Sequence, residues 1–335
     1  MSVKLQFNGS ERVSEKIYAL PAAEFAKEVL EGLGAPSKYL SSKYFYDERG
    51  DELFQEIMAL DSYYLTRAEY QIFERQATEI VELISRQAGS FQLLEFGAGD
   101  GTKTKVLLRE FLKAGLDFRY CPIDISDNVL QGLTDSLHEE LPELNVEALH
   151  GDYFQVLNSS NNQSDERKVV MFLGSNIGNF GIEKAQQFLQ SMSDNLHSGD
   201  ILLVGIDLKK DPQVILKAYN DPEGVTRAFN LNLLTRINRE LSANFDLEAY
   251  EHYASYNPQN GECRSYLLSK KDQQVYFEDL NVTIDFKAWE EIHMEISRKY
   301  SLREIETLAD RSGFKVLKHL TDERNYFVDS FWEVR

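Results

Sequence analysis

The chain has 335 residues, of which 42% are hydrophobic and 27% are charged, and its formal net charge is −19. This composition is typical of a globular protein, and no stretch approaches the roughly 20 apolar residues of a membrane span. A nucleic-acid-binding protein is expected to carry a dense basic patch. The acidic net charge therefore favours a small molecule or a protein, rather than DNA or RNA, as the molecule on which the protein acts.

The two cysteines and six histidines are too few and too scattered for a disulfide framework or a zinc site. The N-terminal residues lack the apolar block of a signal peptide. We therefore expect a cytoplasmic protein that uses no metal, and we expect it to act as a monomer.

The first predicted elements are helices. Apolar residues recur at helical spacing over 22–33. An aromatic and charged passage at 43–50 leads into a short helix near 51–60. Thr66 is expected to cap a long helix over 68–86.

The stretch from Leu93 to Thr104 predicts a nucleotide-binding turn. An apolar strand ends at Phe96, three alternating glycines follow, and helical spacing resumes at Lys103. This order opens a nucleotide-binding α/β unit, in which glycines allow positive φ and let a ligand approach the backbone. The acidic Glu95 before the glycines is typical of S-adenosylmethionine (SAM)-dependent methyltransferases rather than of dinucleotide-binding proteins. The alternative is a plain loop.

Strands and helices then alternate regularly. Strands are expected at 92–97, 118–124, 145–150, 168–174 and 200–206. Helices are expected between them at 103–114, 127–139 and 182–195. Because ligands bind at the carboxyl ends of such strands, Asp124 is placed to accept the ribose hydroxyls of a cofactor, and the Gly/Asn segment at 174–179 should face that cofactor.

The alternation stops after Asp207. A long helix is expected from Val225 to about Ala243, followed by four strand-like segments at 250–256, 263–269, 274–277 and 281–286. The segment at 257–261 predicts a hairpin turn between the first two. A last helix at 301–311 precedes two strands at 314–320 and 326–333.

We therefore predict an α/β fold, with a Rossmann-like seven-stranded SAM-dependent methyltransferase domain and an inserted α+β substrate-binding domain. The methyltransferase core is assigned to residues 68–209 and 299–335. The substrate-binding or capping domain is assigned to residues 1–67 and 210–298.

Seven short motifs together resemble the histidine-specific Nα-methyltransferases of ergothioneine biosynthesis. They are Tyr-Phe-Tyr-Asp-x-x-Gly (44–50), Tyr-Tyr-x-Thr-Arg (63–67), Glu-x-Gly-x-Gly (95–99), Phe-Leu-Gly-Ser-x-Ile-Gly-Asn (172–179), Ala-Tyr-x-Asp-Pro-x-Gly-Val-Thr (218–226), Asn-Arg-Glu-Leu (238–241) and Glu-Ile-Ser-x-Lys (295–299). Only the glycine-rich motif is generic among methyltransferases. The resemblance implies an enzyme that transfers three methyl groups from SAM to the α-amine of histidine, giving hercynine and S-adenosylhomocysteine.

The resemblance also implies a set of cofactor-binding residues. These are Tyr46, Gly97, Lys103, Asp124, Asp152 and Tyr153. Asp124 has a chemical rationale of its own, since a carboxylate can bind a ribose diol, and Asp152 suits the adenine amino group. The alternative for both acids is a solvated or helix-capping role.

A histidine site follows from the same resemblance. The residues implied are Gly174, Asn179 and Tyr219 for the α-amine and α-carboxylate, and Tyr63, Glu295 and Ser297 for the imidazole. A neutral imidazole has one donor and one acceptor nitrogen, which a carboxylate and a hydroxyl can satisfy. Tyr46 and Asn179 are the candidate catalytic residues, and either Tyr46 or water would take the proton that leaves the ammonium. The alternative for Glu295 is a surface ion pair with Arg298 or Lys299.

Two other functions stay open. One is a methyltransferase of this family that acts on tryptophan, a thiolated histidine or a protein amine. Ser265, which stands where the histidine pocket of the family has a methionine, leaves that question open. The other is a SAM-binding partner protein without activity, which would be expected to lack Asp124 or Asn179.

Overall fold

The computed structural model describes residues 2–4, 17–87, 89–124, 127–151 and 166–335. The chain divides into two compact units. We call Leu65–Lys210 with Arg298–Arg335 the core unit, and Met1–Tyr64 with Asp211–Ser297 the inserted unit. No helix in the described part of the chain combines the length and apolar character that a bilayer crossing requires.

The strands of the described residues are, in chain order, β1 (Ser2–Lys4), β2 (Ile17–Ala19), β3 (Lys38–Tyr39), β4 (Phe91–Phe96), β5 (Phe118–Asp124), β6 (Leu149–His150), β7 (Arg167–Phe172), β8 (Ile201–Asp207), β9 (Tyr250–Asn257), β10 (Glu262–Ser269), β11 (Gln273–Phe277), β12 (Val282–Phe286), β13 (Glu291–Arg298), β14 (Phe314–Thr321) and β15 (Phe327–Val334). The α-helices are α1 (Leu20–Gly34), α2 (Glu48–Ala59), α3 (Tyr64–Gln87), α4 (Thr104–Lys113), α5 (Asp127–Glu140), α6 (Ile182–Asp194), α7 (Pro212–Tyr219), α8 (Val225–Leu241) and α9 (Leu302–Arg311).

A seven-stranded sheet in the order β14-β15-β8-β7-β4-β5-β6 forms the centre of the core unit. Strands β4 to β8 pair in parallel, and β15 runs antiparallel to both β8 and β14. The predicted fold class, with its terminal hairpin, is confirmed. One strand is shorter than expected, since β6 covers only Leu149–His150 of the predicted 145–150. It lies at the sheet edge, where ladder bonds form on one side only.

The long helix α3 begins earlier than the sequence predicted. It starts at Tyr64, so Thr66 lies within its first turn and is not its cap. Tyr64, Leu65 and Ala68 are all buried. Because packing of an apolar face stabilises a helix more than local propensity does, this burial extends α3 towards its N-terminus.

The inserted unit contains a four-stranded sheet in the order β3-β13-β10-β9 and a separate β11–β12 hairpin. Strands β9 to β12 match the four predicted segments. The predicted turn is confirmed, because Gly261 has a φ of 78° and donates its N–H to the Asn257 carbonyl at 2.8 Å. Strand β13 was not predicted. One apolar core, which includes Phe45, Phe229 and Met294, joins the helices of this unit to its sheet.

A buried ion cluster stabilises the core unit where the chain leaves it and returns. Asp207 and Lys299 are fully buried, with Oδ2 and Nζ 2.8 Å apart, and Lys210 also contacts Asp207. Burial raises the pKa of Asp207, but Lys299 and Lys210 outweigh it and hold that pKa below its ordinary value. Burial lowers the pKa of Lys210 to about 8. A single carboxylate therefore binds both connecting segments within the core unit.

Replacement of Asp207 by Asn should lower the free energy of unfolding by about 3–5 kcal/mol, because Lys299 would stay buried without its counter-charge. Urea unfolding at pH 7 measures this change. The control is Glu82→Gln, which breaks the exposed ion pair with Arg86 and should cost about 0.2–1 kcal/mol. Equal losses in the two variants would contradict a stabilising role for the cluster.

Candidate active site

The chain turns after β4 through Gly97, Gly99 and Gly101, whose φ angles are 68°, 56° and 67°. Among the described residues other than its own chain neighbours, none has an atom within 4 Å of the position that a Cβ on Gly99 would occupy. A Cβ on Gly101, by contrast, would lie 2.5 Å from Cδ1 of Leu133 in α5. The turn therefore offers open backbone at Gly99, as a nucleotide ligand requires, and uses Gly101 for packing.

Gly97 and Asp124 lie side by side at the carboxyl edge of the sheet. Phe96 and Ile123, the residues before them, are partners in the parallel ladder, and the Gly97 N–H donates to the Ile123 carbonyl at 2.9 Å. Asp124 is half-buried at the end of β5. The structure thus brings together two of the residues predicted to bind the cofactor.

Two other predicted cofactor ligands, Asp152 and Tyr153, lie outside the described residues. The structure describes the end of the third strand, β6, but these two predicted ligands remain expectations from the sequence.

Lys103 and Gly174 both contact one carboxylate that the sequence reasoning missed. Glu69 in α3 pairs through Oε2 with Lys103 Nζ, and its Oε1 accepts the Gly174 N–H at 2.8 Å. Lys103 follows β4, and Gly174 follows the neighbouring strand β7. A signal existed, because Glu69 stands two residues after the Tyr-Tyr-x-Thr-Arg motif, but nothing in the sequence showed that its side chain was buried.

The segment after β7 places Asn179 at the same sheet edge. Gly174 has a φ of 72°, and a short 3-10 turn over Asn176–Asn179 leaves Asn179 half-buried. A Cβ on Gly178 would lie 2.7 Å from the Arg298 carbonyl oxygen. Glycine is therefore required at 178 for this close packing within the core unit.

Glu95, the acidic residue of the methyltransferase pattern, is buried behind the turn. It accepts hydrogen bonds from the hydroxyls of Thr104, at 2.6 Å, and Tyr120. Burial raises the pKa of Glu95 to about 7, although both hydroxyl donors lower it. These contacts join β4, α4 and β5, so Glu95 holds together the elements on both sides of the glycine turn.

In the inserted unit, three of the residues predicted to bind histidine lie in contact. The Tyr219 hydroxyl and Ser297 Oγ are 2.8 Å apart, and the rings of Tyr63 and Tyr219 pack edge to face with centroids 6.3 Å apart. Glu295 lies two residues before Ser297 in β13 and is half-buried. The structure thus connects Tyr63 with Tyr219 and Tyr219 with Ser297, although all three lie far apart along the chain.

His252 fixes the backbone beside this cluster. Its Nε2 lies 3.0 Å from the Tyr219 carbonyl oxygen, so Nε2 must carry the proton. Burial lowers the pKa of His252, which favours the neutral ring. Ser265 is buried in β10 opposite Ala254, on the same face of the sheet as His252, since alternate residues of a strand share a face.

Tyr46 stands at the N-terminus of α2 with 43% of its surface exposed. Its ring packs against Phe54 and Phe229, and Phe54 in turn packs against Tyr63. An aromatic row therefore connects Tyr46 with the Tyr63–Tyr219 pair inside the inserted unit.

The neighbouring Asp47 explains the rest of the first motif. Its Oδ1 caps α2 by accepting the Gly50 N–H at 2.9 Å and also accepts from Asn232, while its Oδ2 pairs with Arg239 at 2.8 Å. A Cβ on Gly50 would lie 1.8 Å from the Phe45 carbonyl oxygen, so only glycine fits there.

Asp221 supports the start of α8, where Gly224 is the N-cap residue. Its two carboxylate oxygens accept the N–H groups of Val225, at 2.7 Å, and Thr226, at 2.8 Å. The Asp-Pro-x-Gly-Val-Thr motif therefore encodes a helix start that fixes the chain just after Tyr219.

A family model described as histidine-specific methyltransferase, SAM-dependent, matches residues 25–334. The chain belongs to this family. The resemblance seen in its motifs is thereby confirmed, and SAM is the methyl donor of the family.

Two named relatives align with nearly the whole chain. The histidine N-alpha-methyltransferase of Mycolicibacterium smegmatis is 36% identical over 91% of the chain and 94% of its own length. The enzyme of the same name from Mycobacterium tuberculosis is 34% identical over 90% of the chain and 92% of its length. A more distant relative is the L-tryptophan methyltransferase of Psilocybe serbica, 28% identical over 85% of the chain and 86% of its length.

The raised pKa of Glu95 predicts a pH-dependent stability in this family member. Between an ordinary value of 4.5 and the folded value of about 7, the native protein holds a proton that the unfolded chain has lost. Stability should therefore fall as pH rises through this window. Relative to Glu95→Gln, the wild type should lose about 2–3 kcal/mol between pH 5 and pH 8.

Urea unfolding of both proteins at several pH values tests this expectation. A Glu74→Gln variant, changed at an exposed position of α3, is the control. It measures how much the loss of an exposed glutamate changes the free energy of unfolding. A difference between wild type and Glu95→Gln that stays constant with pH would rule out the titration of Glu95.

Proposed function

We propose that the protein transfers three methyl groups from SAM to the α-amine of L-histidine, giving Nα-trimethylhistidine (hercynine) and S-adenosylhomocysteine in the first step of ergothioneine biosynthesis. Family membership supports the reaction, as do the two relatives named histidine N-alpha-methyltransferase. The observation that carries the choice of substrate is the contact between Tyr63, Tyr219 and Ser297 in the inserted unit.

The core unit is proposed to bind SAM. Its open backbone at Gly99, the cation of Lys103 and the half-buried carboxylate of Asp124 fit a ligand with a carboxylate at one end and a ribose diol at the other. SAM, when bound, supplies a methyl group on a sulfonium, which is already a good leaving group. Gly97, Asp152 and Tyr153 complete the proposed set, together with Tyr46.

The inserted unit is proposed to recognise the imidazole. Glu295 would accept the ring N–H, and the hydroxyls of Ser297 and Tyr63 would satisfy the other nitrogen, because a hydroxyl can donate or accept. Each such group left unpaired in a buried site costs about 1–3 kcal/mol. A polar set of this kind therefore rejects amino acids with apolar side chains.

Little acid–base chemistry is required of the protein itself. Asn179, Tyr219 and the carbonyl of Gly174 are proposed to hold the α-carboxylate and the neutral amine in line for methyl transfer. Positioning of this kind is worth of order 7–11 kcal/mol in favourable cases. Tyr46 or water would accept the proton that leaves the ammonium before each transfer.

The proposal includes a monomeric cytoplasmic enzyme that acts on a small molecule without a metal, a membrane or a nucleic acid. The net charge of −19 supports this part, since it disfavours a polyanionic acceptor. Among the described residues, no group of three or more His, Cys, Asp or Glu is arranged to hold a metal ion.

Mass spectrometry of L-histidine incubated with the protein and SAM tests the reaction directly. The expected products carry one, two and finally three added methyl groups on the α-nitrogen, and activity should survive addition of EDTA. If histidine stays unmodified while tryptophan gains methyl groups, the substrate assignment is wrong, and the relative named L-tryptophan methyltransferase becomes the better guide.

Replacement of Glu295 by Ala should leave SAM binding intact. It should weaken the binding of histidine by about 1.5–3 kcal/mol, the range for a hydrogen bond to a charged group. The binding of tryptophan should be weakened less, because the variant has no carboxylate that an unpaired indole ring would separate from water. The quantity to compare is the ratio of kcat/KM for histidine to kcat/KM for tryptophan in each protein.

The matched control for this experiment is Glu291→Ala, at the exposed start of the same strand β13. It should leave the ratio unchanged. A ratio that is also unchanged in Glu295→Ala would mean that Glu295 does not contact the imidazole.

A further inference from the structure

We propose that Glu69 is a positioning residue for methyl transfer, which sets Lys103 and the Gly174 turn in a fixed relation through one buried carboxylate. The inference rests on the proposed function, because Lys103 is assigned there to SAM and Gly174 to the substrate amine. It adds a residue that neither the sequence motifs nor the substrate assignment included.

Three neighbours fix the position of the Glu69 carboxylate. Its side chain is fully buried, with Oε2 on Lys103 and Oε1 2.8 Å from the Gly174 nitrogen. A Cβ on Gly205 would lie 2.1 Å from Oε1, so the carboxylate lies directly over the backbone of β8. Glu69 thus contacts the segments after β4 and β7 and the middle of β8, which are neighbours in the sheet.

The charges around Glu69 explain why this carboxylate can stay buried. Lys103 keeps 22% of its side chain exposed, and it supplies the counter-charge that a buried carboxylate requires. Burial lowers the pKa of Lys103, but the charge of Glu69 and its hydrogen bond are the largest opposing causes, and the pKa stays above its ordinary value. The ammonium therefore stays protonated at the sheet edge.

Asp329 adds a second, neutral carboxyl to the cluster. It lies directly opposite Gly205 in the β8–β15 ladder, and neither of its oxygens has a hydrogen-bond partner among the described residues. Burial, and next the charge of Glu69, raise its pKa well above the ordinary value. Asp329 is therefore a neutral neighbour, and Lys103 pairs with the carboxylate of Glu69.

This arrangement gives Glu69 a function beyond stability. Small displacements of a positioned reactant are expensive, and a shift of about 1 Å can lower a rate about 100-fold. If Glu69 sets Lys103 relative to Gly174, then loss of its charge should reduce kcat more than it weakens SAM. A residue that serves stability alone would leave kcat and its pH dependence unchanged in the folded variant.

The experiment compares the wild type with Glu69→Gln, which preserves size and an acceptor for the Gly174 N–H but removes the charge. Steady-state kinetics should show kcat lowered by about 100-fold, whereas isothermal titration should show SAM affinity lowered by less than about 10-fold, because Gly97 and Asp124 are unaltered. Because Lys103 would lose its main counter-charge, its pKa should be lower in the variant. As pH rises, the rate of the variant should therefore begin to decline at a lower pH than the rate of the wild type.

Two further variants keep the test decisive. Gly205→Ala retains the charge of Glu69 but displaces its carboxylate, so it should also lower kcat, and it replaces Glu69→Gln if that variant does not fold. Glu74→Gln on the exposed face of the same helix is the matched control and should behave as the wild type. Wild-type kcat and an unshifted pH profile in Glu69→Gln, or wild-type kcat in Gly205→Ala, would overturn the inference.

The outcome is separable from that of the proposed function. A wild-type protein that does not methylate histidine refutes the function, whatever Glu69 does. A wild-type protein that methylates histidine, with a Glu69→Gln variant equal to it, refutes only the positioning role.

Discussion

Buried carboxylates paired with lysines organise the carboxyl edge of the central sheet. Parallel strands deliver their loops to one edge, and these loops need groups that fix them there. Glu69 with Lys103 joins the loops after β4 and β7, and Asp207 with Lys299 joins β8 to the returning chain. Removing one partner of such a pair leaves a buried charge, which is far more costly than the loss of a surface pair.

The motifs of the family contain residues that we propose to bind ligands and residues that support the surrounding backbone. Asp47 caps α2, and Asp221 accepts the first N–H groups of α8. Each stands one or two residues after a tyrosine that we propose to take part in the reaction, Tyr46 or Tyr219. Glu95 supports the glycine turn from within the core unit. A motif therefore marks a local structure as well as a chemical group, because a side chain is only as well placed as the backbone that carries it.

The proposed chemistry agrees with this division. Methyl transfer from a sulfonium to a neutral amine needs alignment more than proton transfer, so rigid supports are the main contribution that the protein can make. Specificity requires polar groups that a wrong substrate would leave unpaired. The Tyr219–Ser297 pair, with His252 bound to the backbone of Tyr219, has the character of such a preorganised set.

The sequence alone determined the fold class, because hydrophobic periodicity and the glycine turn depend on local residue order. It predicted β4 to β8, the β14–β15 hairpin and the positions of Gly97 and Asp124, and its motifs indicated the family. Tertiary structure decided the rest. Burial extends α3 back to Tyr64, and strand β13 was found only from its pairing. The role of Glu69 depends on contacts with Lys103, Gly174 and Gly205, which are remote in sequence, and no local pattern encodes which distant groups a buried carboxylate will meet.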